Sequence, residues 1–189
     1  QTSPPYPEHL ICTQGSTLFV SLNIPGSNND LLNPKSRKTS TKKAKQLLKA
    51  RDQAIDAWLR EAEALFEHDS TRPTETVIAI QGNPIDGSGG TSTTPSRNGY
   101  AVFMTRLVKY IDTTQRPVLL AHGDTHRFKW DKPSLKQFGG TPSSDALFYR
   151  VEGWGHPFMN AWVQVKVKQG SATPFEASSV SLPSPTADN

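Results

Sequence analysis

One cysteine, Cys12, is the only thiol in 189 residues. A single thiol cannot close a disulfide within the chain, and a zinc site built from several cysteines is excluded with it. Cys12 has no identifiable base or orienting group, which makes it a poor nucleophile. The commoner role is a buried thiol, and half of a bridge to another chain is the rarer one. Serine catalysis has no better footing, because no Gly-x-Ser-x-Gly elbow occurs. No apolar run approaches the roughly 20 residues of a membrane-crossing helix, so no membrane partner is expected. Acids are missing altogether from "NPKSRKTSTKKAKQLLKAR", Asn33 to Arg51, which holds eight Lys or Arg. A charge run of this kind is usually a solvated face. No aromatics are interleaved for base stacking, so nucleic acid is an unlikely partner. The opening "QTSPPYPEHL" has neither a Met nor a basic-then-apolar leader. It reads as a processed or truncated end, with a preceding N-terminal portion and a secreted or periplasmic location expected.

What is present is an alternation of strands and helices. In "STLFVSLNI", Leu18, Val20, Leu22 and Ile24 share one face at period two, the mark of a strand, and "PGSNND" ends it with turn formers. From about Thr41 to Glu67, apolar residues including Leu47, Leu48, Ile55, Trp58, Leu59, Ala62 and Phe66 recur every three or four positions, predicting an amphipathic helix. "TVIAI" and "PVLLA" are short continuous apolar runs of the sort buried on both faces. Between them lie a long loop, "QGNPIDGSGGTSTTPSRNG", and a second helix from about Tyr100 to Asp112 carrying Phe103, Leu107 and Ile111 on one side. "HRFKW", "ALFYRVEGW" and "AWVQVKVK" read as three closing strands in an antiparallel meander. In the last of them Val163, Val165 and Val167 form the buried side.

The expected fold is therefore α/β: a layered α/β sandwich of parallel strands with crossover helices, followed by the meander. Residues 1–169 form a single domain, or the C-terminal half of a larger one. Residues 170–189 form a Ser/Pro-rich tail that Phe175, Val180 and Leu182 could tie down.

Ligand sites in such sheets lie beyond the carboxyl ends of the strands. Two loops leave there, "QGNP" after Ile80 and "HGDTH" after Ala121. They bring Gln81, Asn83, His122, Asp124 and His126 within reach of one another. Imidazole and carboxylate together suit a divalent metal such as zinc, manganese or iron. The competing reading is a polar turn in which Gly123 bends the chain and Asp124 caps backbone amides. Asp30 and Asp86 are the nearest additional carboxylates, each in a turn-like segment where a solvated aspartate is the default.

The pieces "TLFVSLN", "QAIDAWL", "VIAIQGNP" and "VLLAHGDTH" follow one another in an order and spacing that resemble the C-terminal half of calcineurin-like metallophosphoesterases. "HGDTHRFKWDKP" and "RVEGWG" are similar to a bacterial and fungal branch of that family. The resemblance implies a phosphate-bearing substrate and a metal site in which His126 matches the second histidine of the family's Gly-His-x-His. It also implies an N-terminal companion segment or chain, because the family's Asp-x-His, Gly-Asp and Gly-Asn-His motifs are not found here. Gln81 stands where the family places a metal-binding histidine, and Asp124 where the first histidine of Gly-His-x-His belongs. Two readings stay open: an enzyme half that hydrolyses phosphoesters once completed, and a non-catalytic binding protein on a degenerate version of the same fold. A nucleic-acid-binding module using the Lys35–Arg51 run is weaker.

Overall fold

A computed structural model of the chain describes residues 8–31, 41–67, 72–86, 98–157 and 161–182. Six strands make one sheet: β1 (Leu10–Gln14), β2 (Thr17–Ser21), β3 (Glu75–Ala79), β4 (Val118–His122), β5 (Lys129–Asp131) and β6 (Phe148–Glu152). Their order is β1-β2-β3-β4-β6-β5. The four middle strands run parallel, and the two edge strands, β1 and β5, run antiparallel to their neighbours. The molecule is thus mixed α/β with a mixed sheet.

One face of the sheet is built from the period-two residues expected of it. Leu18 and Val20 on β2, Ile78 on β3, Val118 and Leu120 on β4 and Phe148 on β6 are all buried in one cluster. Two helices close over them. α2 (Lys42–Ala64) contributes Ile55, Trp58, Leu59 and Ala62, and α3 (Ala101–Thr114) contributes Phe103, Met104, Leu107 and Ile111. Thr41 starts α2 by accepting a hydrogen bond from the Ala44 amide at 3.0 Å, the usual service of a capping threonine. Leu47, counted with the apolar stripe from sequence, is 54% exposed and lies off it. Lys42, Lys43, Lys45 and Lys49 are exposed on α2, and residues 33–40 of the basic run lie outside the described residues. Each Leu, Ile or Phe in this layer adds about 1.5–3 kcal/mol of transfer free energy.

Among the described residues, the opposite face is only half covered. A hairpin of β7 (Ala161–Val167) and β8 (Phe175–Ser181) lays Val163, Val165, Val167, Phe175 and Ala177 on Leu119, Tyr149 and Val151. Trp130 stacks on Tyr149 at 5.8 Å between centroids, and Phe175 meets Tyr149 edge-on at 5.3 Å. The register β1–β2–β3 then aligns Leu10 with Ser21 and Ala79, and Cys12 with Phe19 and Val77, on that same face. There Leu10 is 57% exposed, Cys12 and Ala79 are exposed, and Phe19 and Ser21 are half-buried.

Several expectations change. The closing strands do not form a meander, because β6 pairs parallel with β4 and antiparallel with β5, while β7 and β8 leave for a second sheet. The return from β5 to β6 runs through a 3-10 turn, Lys136–Phe138, and a short helix, α4 (Pro142–Leu147), capped by Thr141 and Ser144. β6 then enters between β4 and β5, antiparallel to β5 and therefore parallel to β4. Only Lys129–Asp131 of the "HRFKW" region is strand. Part of the expected tail is β8, held by Phe175; residues 183–189 lie outside the described residues. β1 was not anticipated, since its pattern of exposure has no buried side to signal a strand. Cys12 sits on it, exposed rather than buried.

Arg106 of α3 ties the helical layer together. Its Nε donates to Asp56 at 2.6 Å, and Nη1 and Nη2 donate to the two Glu63 oxygens at 2.6 and 2.7 Å, both partners being on α2. Breaking such a pair strands the carboxylates against an apolar layer, which for a fully buried pair costs about 3–5 kcal/mol. Asp56 is partly exposed, so Arg106→Ala is expected to lower the unfolding free energy by about 2 kcal/mol. Urea titration followed by circular dichroism checks this.

Candidate functional site

The parallel ladder continues past the strand ends into the loops. Gly82 N donates to Ile24 O at 2.8 Å, Gly123 N to Gln81 O at 3.1 Å, and Gly153 N to His122 O at 2.8 Å. These bonds fix the loops after β2, β3, β4 and β6 side by side, so Gln81, Asn83, His122 and Asp124 belong to one region.

The loop after β2 takes an uncommon backbone. Ser27, Asn28, Asn29 and Asp30 all have φ between 54° and 59°, giving a left-handed turn, α1 (Gly26–Asn29) with its cap. Left-handed helical residues cost roughly 1–2 kcal/mol each, least for Asn and Asp. Contacts from several elements hold the turn. Asn28 Oδ1 accepts from Gly99 N at 2.8 Å, Asn29 Nδ2 donates to Gly99 O at 2.9 Å, and Arg51 of α2 donates to Asn29 O at 2.9 Å. Gly26 N donates to Gln81 Oε1, and the Asp124 carboxylate lies where a Gly26 Cβ would be. Only glycine fits at position 26 while Asp124 keeps that position.

The expected ligands separate into three environments. His122 is 6% exposed; its Nδ1 pairs with Gly123 O at 2.9 Å, and its Nε2 is buried with no hydrogen-bond partner. Burial holds the imidazole pKa below its ordinary 6.5, against the opposing pull of the Gly123 carbonyl and Glu152. The neutral ring with Nδ1–H on a carbonyl leaves a lone pair on Nε2, the arrangement of a histidine able to bind a metal. Asp124, with φ 85°, turns towards Gly26 and the Asn83 amide, 3.5 Å from its Oδ2. His126, with φ 62°, is exposed with its ring against Gly155. No group of three or more His, Cys, Asp or Glu suited to a metal ion occurs among the described residues.

Gln81 and Asn83, expected on the substrate side, both make internal bonds. Asn83 is fully buried; its Oδ1 accepts from Ile85 N at 3.1 Å and Asp86 N at 2.9 Å, and its Nδ2 donates to Glu152 at 3.3 Å. It shapes the loop that carries Asp86.

Two further heavily bonded side chains here are ones that the sequence pattern did not single out, Arg150 and Glu152 of β6. Arg150, 2% exposed, donates through Nε to Asp131 Oδ1 at 2.8 Å, through Nη2 to Asp131 Oδ2, and through Nη1 to Asp86. Glu152, 1% exposed, accepts from Thr125 N at 2.9 Å, from the Thr125 hydroxyl and from Asn83. The signal was in "FYRVE": two charges at period two inside an otherwise apolar strand point to a buried paired network rather than a wet face. Asp86 is accordingly not a solvated turn residue. Burial works against its carboxylate, but bonds from Lys129 at 2.7 Å and from Arg150 outweigh this and hold its pKa below the ordinary value.

Two cavities open at this end of the sheet. One of about 530 Å³ lies over the uncovered half-face, between Glu8, Ser21, Ala79, Gln81 and Gly123. The other, about 460 Å³, is lined by Asp86, Thr125, Arg127, Lys129 and Glu152. Comparison of the chain with protein-family models, with curated proteins and with solved structures gives no match.

Two outcomes follow from the geometry. Glu152→Ala leaves the Thr125 amide and the Asn83 side chain without their shared acceptor, a loss of about 2 kcal/mol. Hydrogen exchange at the Thr125 amide is expected to quicken more than at β4. For His122 the sign is that of a group with a depressed folded pKa. Above pH 6.5 the ring is neutral in both states; below 6.5 the unfolded chain takes the proton first, so stability falls as pH drops. His122→Gln is expected to flatten that acid limb in melting curves taken from pH 8 to pH 5.

Proposed function

We propose that this chain is the C-terminal half of a metallophosphoesterase-like protein whose phosphoester-hydrolysing site is completed by an N-terminal segment or companion chain. The observation that carries the reading is the bare half-face of the sheet. Parallel strands are buried on both faces almost without exception. Yet Ala79, on a strand with parallel neighbours on both sides, is exposed. A further layer over Leu10, Cys12, Ser21 and Ala79 would restore the missing cover and close the 530 Å³ cavity beside Gln81 and Gly123.

The residues present fit a divalent metal in kind and fall short in number. His122 offers a free Nε2, and Asp124 and His126 are donors of the right type; zinc, manganese or iron suits such a set. Hydrolysis between two metals needs ligands on both ions about 3.5–4 Å apart, so the completing segment must bring most of them. Bound metal would polarise the phosphoryl oxygen. The chain's own contribution is to hold the β3 and β4 loops rigid through Asn83, Thr125 and Glu152, and to keep His122 neutral.

One observation favours a second reading, a non-catalytic binding protein on a degenerate form of the fold. At the family's ligand positions, Gln81 Oε1 accepts from Gly26 N and the Asp124 carboxylate is packed against Gly26.

The two readings separate by experiment on the full encoded protein and on this chain alone. Elemental analysis is paired with hydrolysis of bis(p-nitrophenyl) phosphate. The enzyme reading expects about two metal ions per full protein, turnover of the diester, and at least a tenfold loss of turnover in His126→Ala. It expects neither metal nor turnover from the chain alone. A full protein that holds no metal and leaves the diester intact selects the binding reading.

A further inference from the structure

β1 is an edge of the sheet, and among the described residues no strand pairs with its outer side. Such an edge presents unpaired N–H and C=O groups, which natural proteins usually blunt with charge, proline or shortness. β5, the opposite edge, is only three residues long and carries Lys129 and Asp131. β1 has none of these devices: Leu10–Gln14 is five residues with no charge and no proline.

The ladder decides which groups this edge offers. Along a strand the N–H and C=O of one residue point to the same side, and the side alternates from residue to residue. At the two ends of β2, Ser16 O accepts from Thr74 N at 2.8 Å and Leu22 N donates to Ala79 O at 3.0 Å, so the even-numbered positions face β3. The odd-numbered ones, Thr17, Phe19 and Ser21, therefore bond β1, where their partners are Gln14, Cys12 and Leu10. That leaves Ile11 and Thr13 with both backbone groups turned outward. These two residues lie symmetrically about Cys12.

We propose that β1 pairs antiparallel with β1 of a second copy of this chain, about a two-fold axis through Cys12. In that register Ile11 of each copy exchanges bonds with Thr13 of the other, and every outward group of the strand is satisfied. Moving the axis to Ile11 or Thr13 carries the ends of each strand past the end of the other. The facing pairs are Leu10 with Gln14, Ile11 with Thr13 and Cys12 with itself, so no like charges meet. At the axis the two Cys12 residues form a non-hydrogen-bonded pair with Cα atoms about 4.5 Å apart, inside the roughly 4.4–6.8 Å that a disulfide spans. Five paired residues per copy bury less than the roughly 1,200 Å² of a tight interface. The pairing is accordingly weak, with a Kd on the order of 100 µM, and dilute chain is single. The inference does not depend on the phosphoesterase reading.

Sedimentation equilibrium of the whole chain with its thiol kept reduced, from about 10 µM to about 1 mM, is expected to show a monomer–dimer equilibrium. Thr13→Pro removes an outward N–H and leaves the bonds to β2 in place. It is expected to weaken dimerisation at least tenfold with the circular dichroism spectrum unchanged. The register is read by trapping with oxidised glutathione, in which two chain thiols and one glutathione disulfide give one chain-to-chain disulfide and two glutathione thiols. Cys12 is expected to trap the dimer at least tenfold faster than a thiol moved to position 14 (Cys12→Ser with Gln14→Cys). There the two sulfurs stand about 14 Å apart along the paired strands. That comparison decides the matter should Thr13→Pro fail to fold. A single species up to about 1 mM, a dimer undiminished in Thr13→Pro, or equal trapping at positions 12 and 14 would each overturn the proposal.

Discussion

The parallel hydrogen-bond ladder of β2, β3, β4 and β6 is the constraint on which the rest of the molecule depends, because it does not stop where the strands stop. Bonds from Gly82 to Ile24, Gly123 to Gln81 and Gly153 to His122 carry it into the loops. Loops in such positions are commonly mobile, but here each is pinned to its neighbour by backbone. Side chains then lock what backbone has aligned: Asn83 and Thr125 meet on Glu152, and Asp86 meets Arg150. A strained left-handed turn is held at Ser27–Asp30 by partners from α2, from the residues leading into α3 and from the β3 loop. Strain of that kind persists only where surroundings over-determine it.

Burying Arg150 and Glu152 inside a central strand is a poor route to stability. Well-packed apolar residues of similar size would often serve as well or better. What the charges supply is position. Arg150 holds Asp131 of β5 and Asp86 of the β3 loop, while Glu152 holds Thr125 of the β4 loop, so β6 fixes three neighbouring segments from one strand. His122, paired across the ladder with Glu152, has a buried Nε2 without a hydrogen-bond partner.

Periodicity made the core legible in the sequence. Leu18, Val20 and Ile78, with the stripe of Ile55, Leu59 and Ala62, announce one buried layer, and the runs "TVIAI" and "PVLLA" announce adjacent parallel strands. Local patterning could not reveal where the closing strands go. "ALFYRVEGW" carries no mark that distinguishes a parallel return beside β4 from a meander; that depends on which strands it pairs with, β4 on one side and β5 on the other. The β1 edge strand escaped notice because an exposed strand has no apolar alternation to show. At the site, the cluster "HGDTH" lies in the β4 loop, and its three side chains go to different surroundings. The left-handed φ values of Asp124 and His126 redirect them, and sequence spacing holds no information on that.

The central claim is that the exposed half-face of the sheet is a face waiting for cover, and Cys12 is a reporter already in place on it. The most direct measurement is the reaction rate of that thiol with a small aromatic disulfide reagent, in the isolated chain and in the full encoded protein. The account predicts fast labelling of the chain alone and strong protection, at least a hundredfold, once the additional segment is present. Equal rates in the two forms would contradict it, because the half-face would then stay open to solvent in the complete molecule.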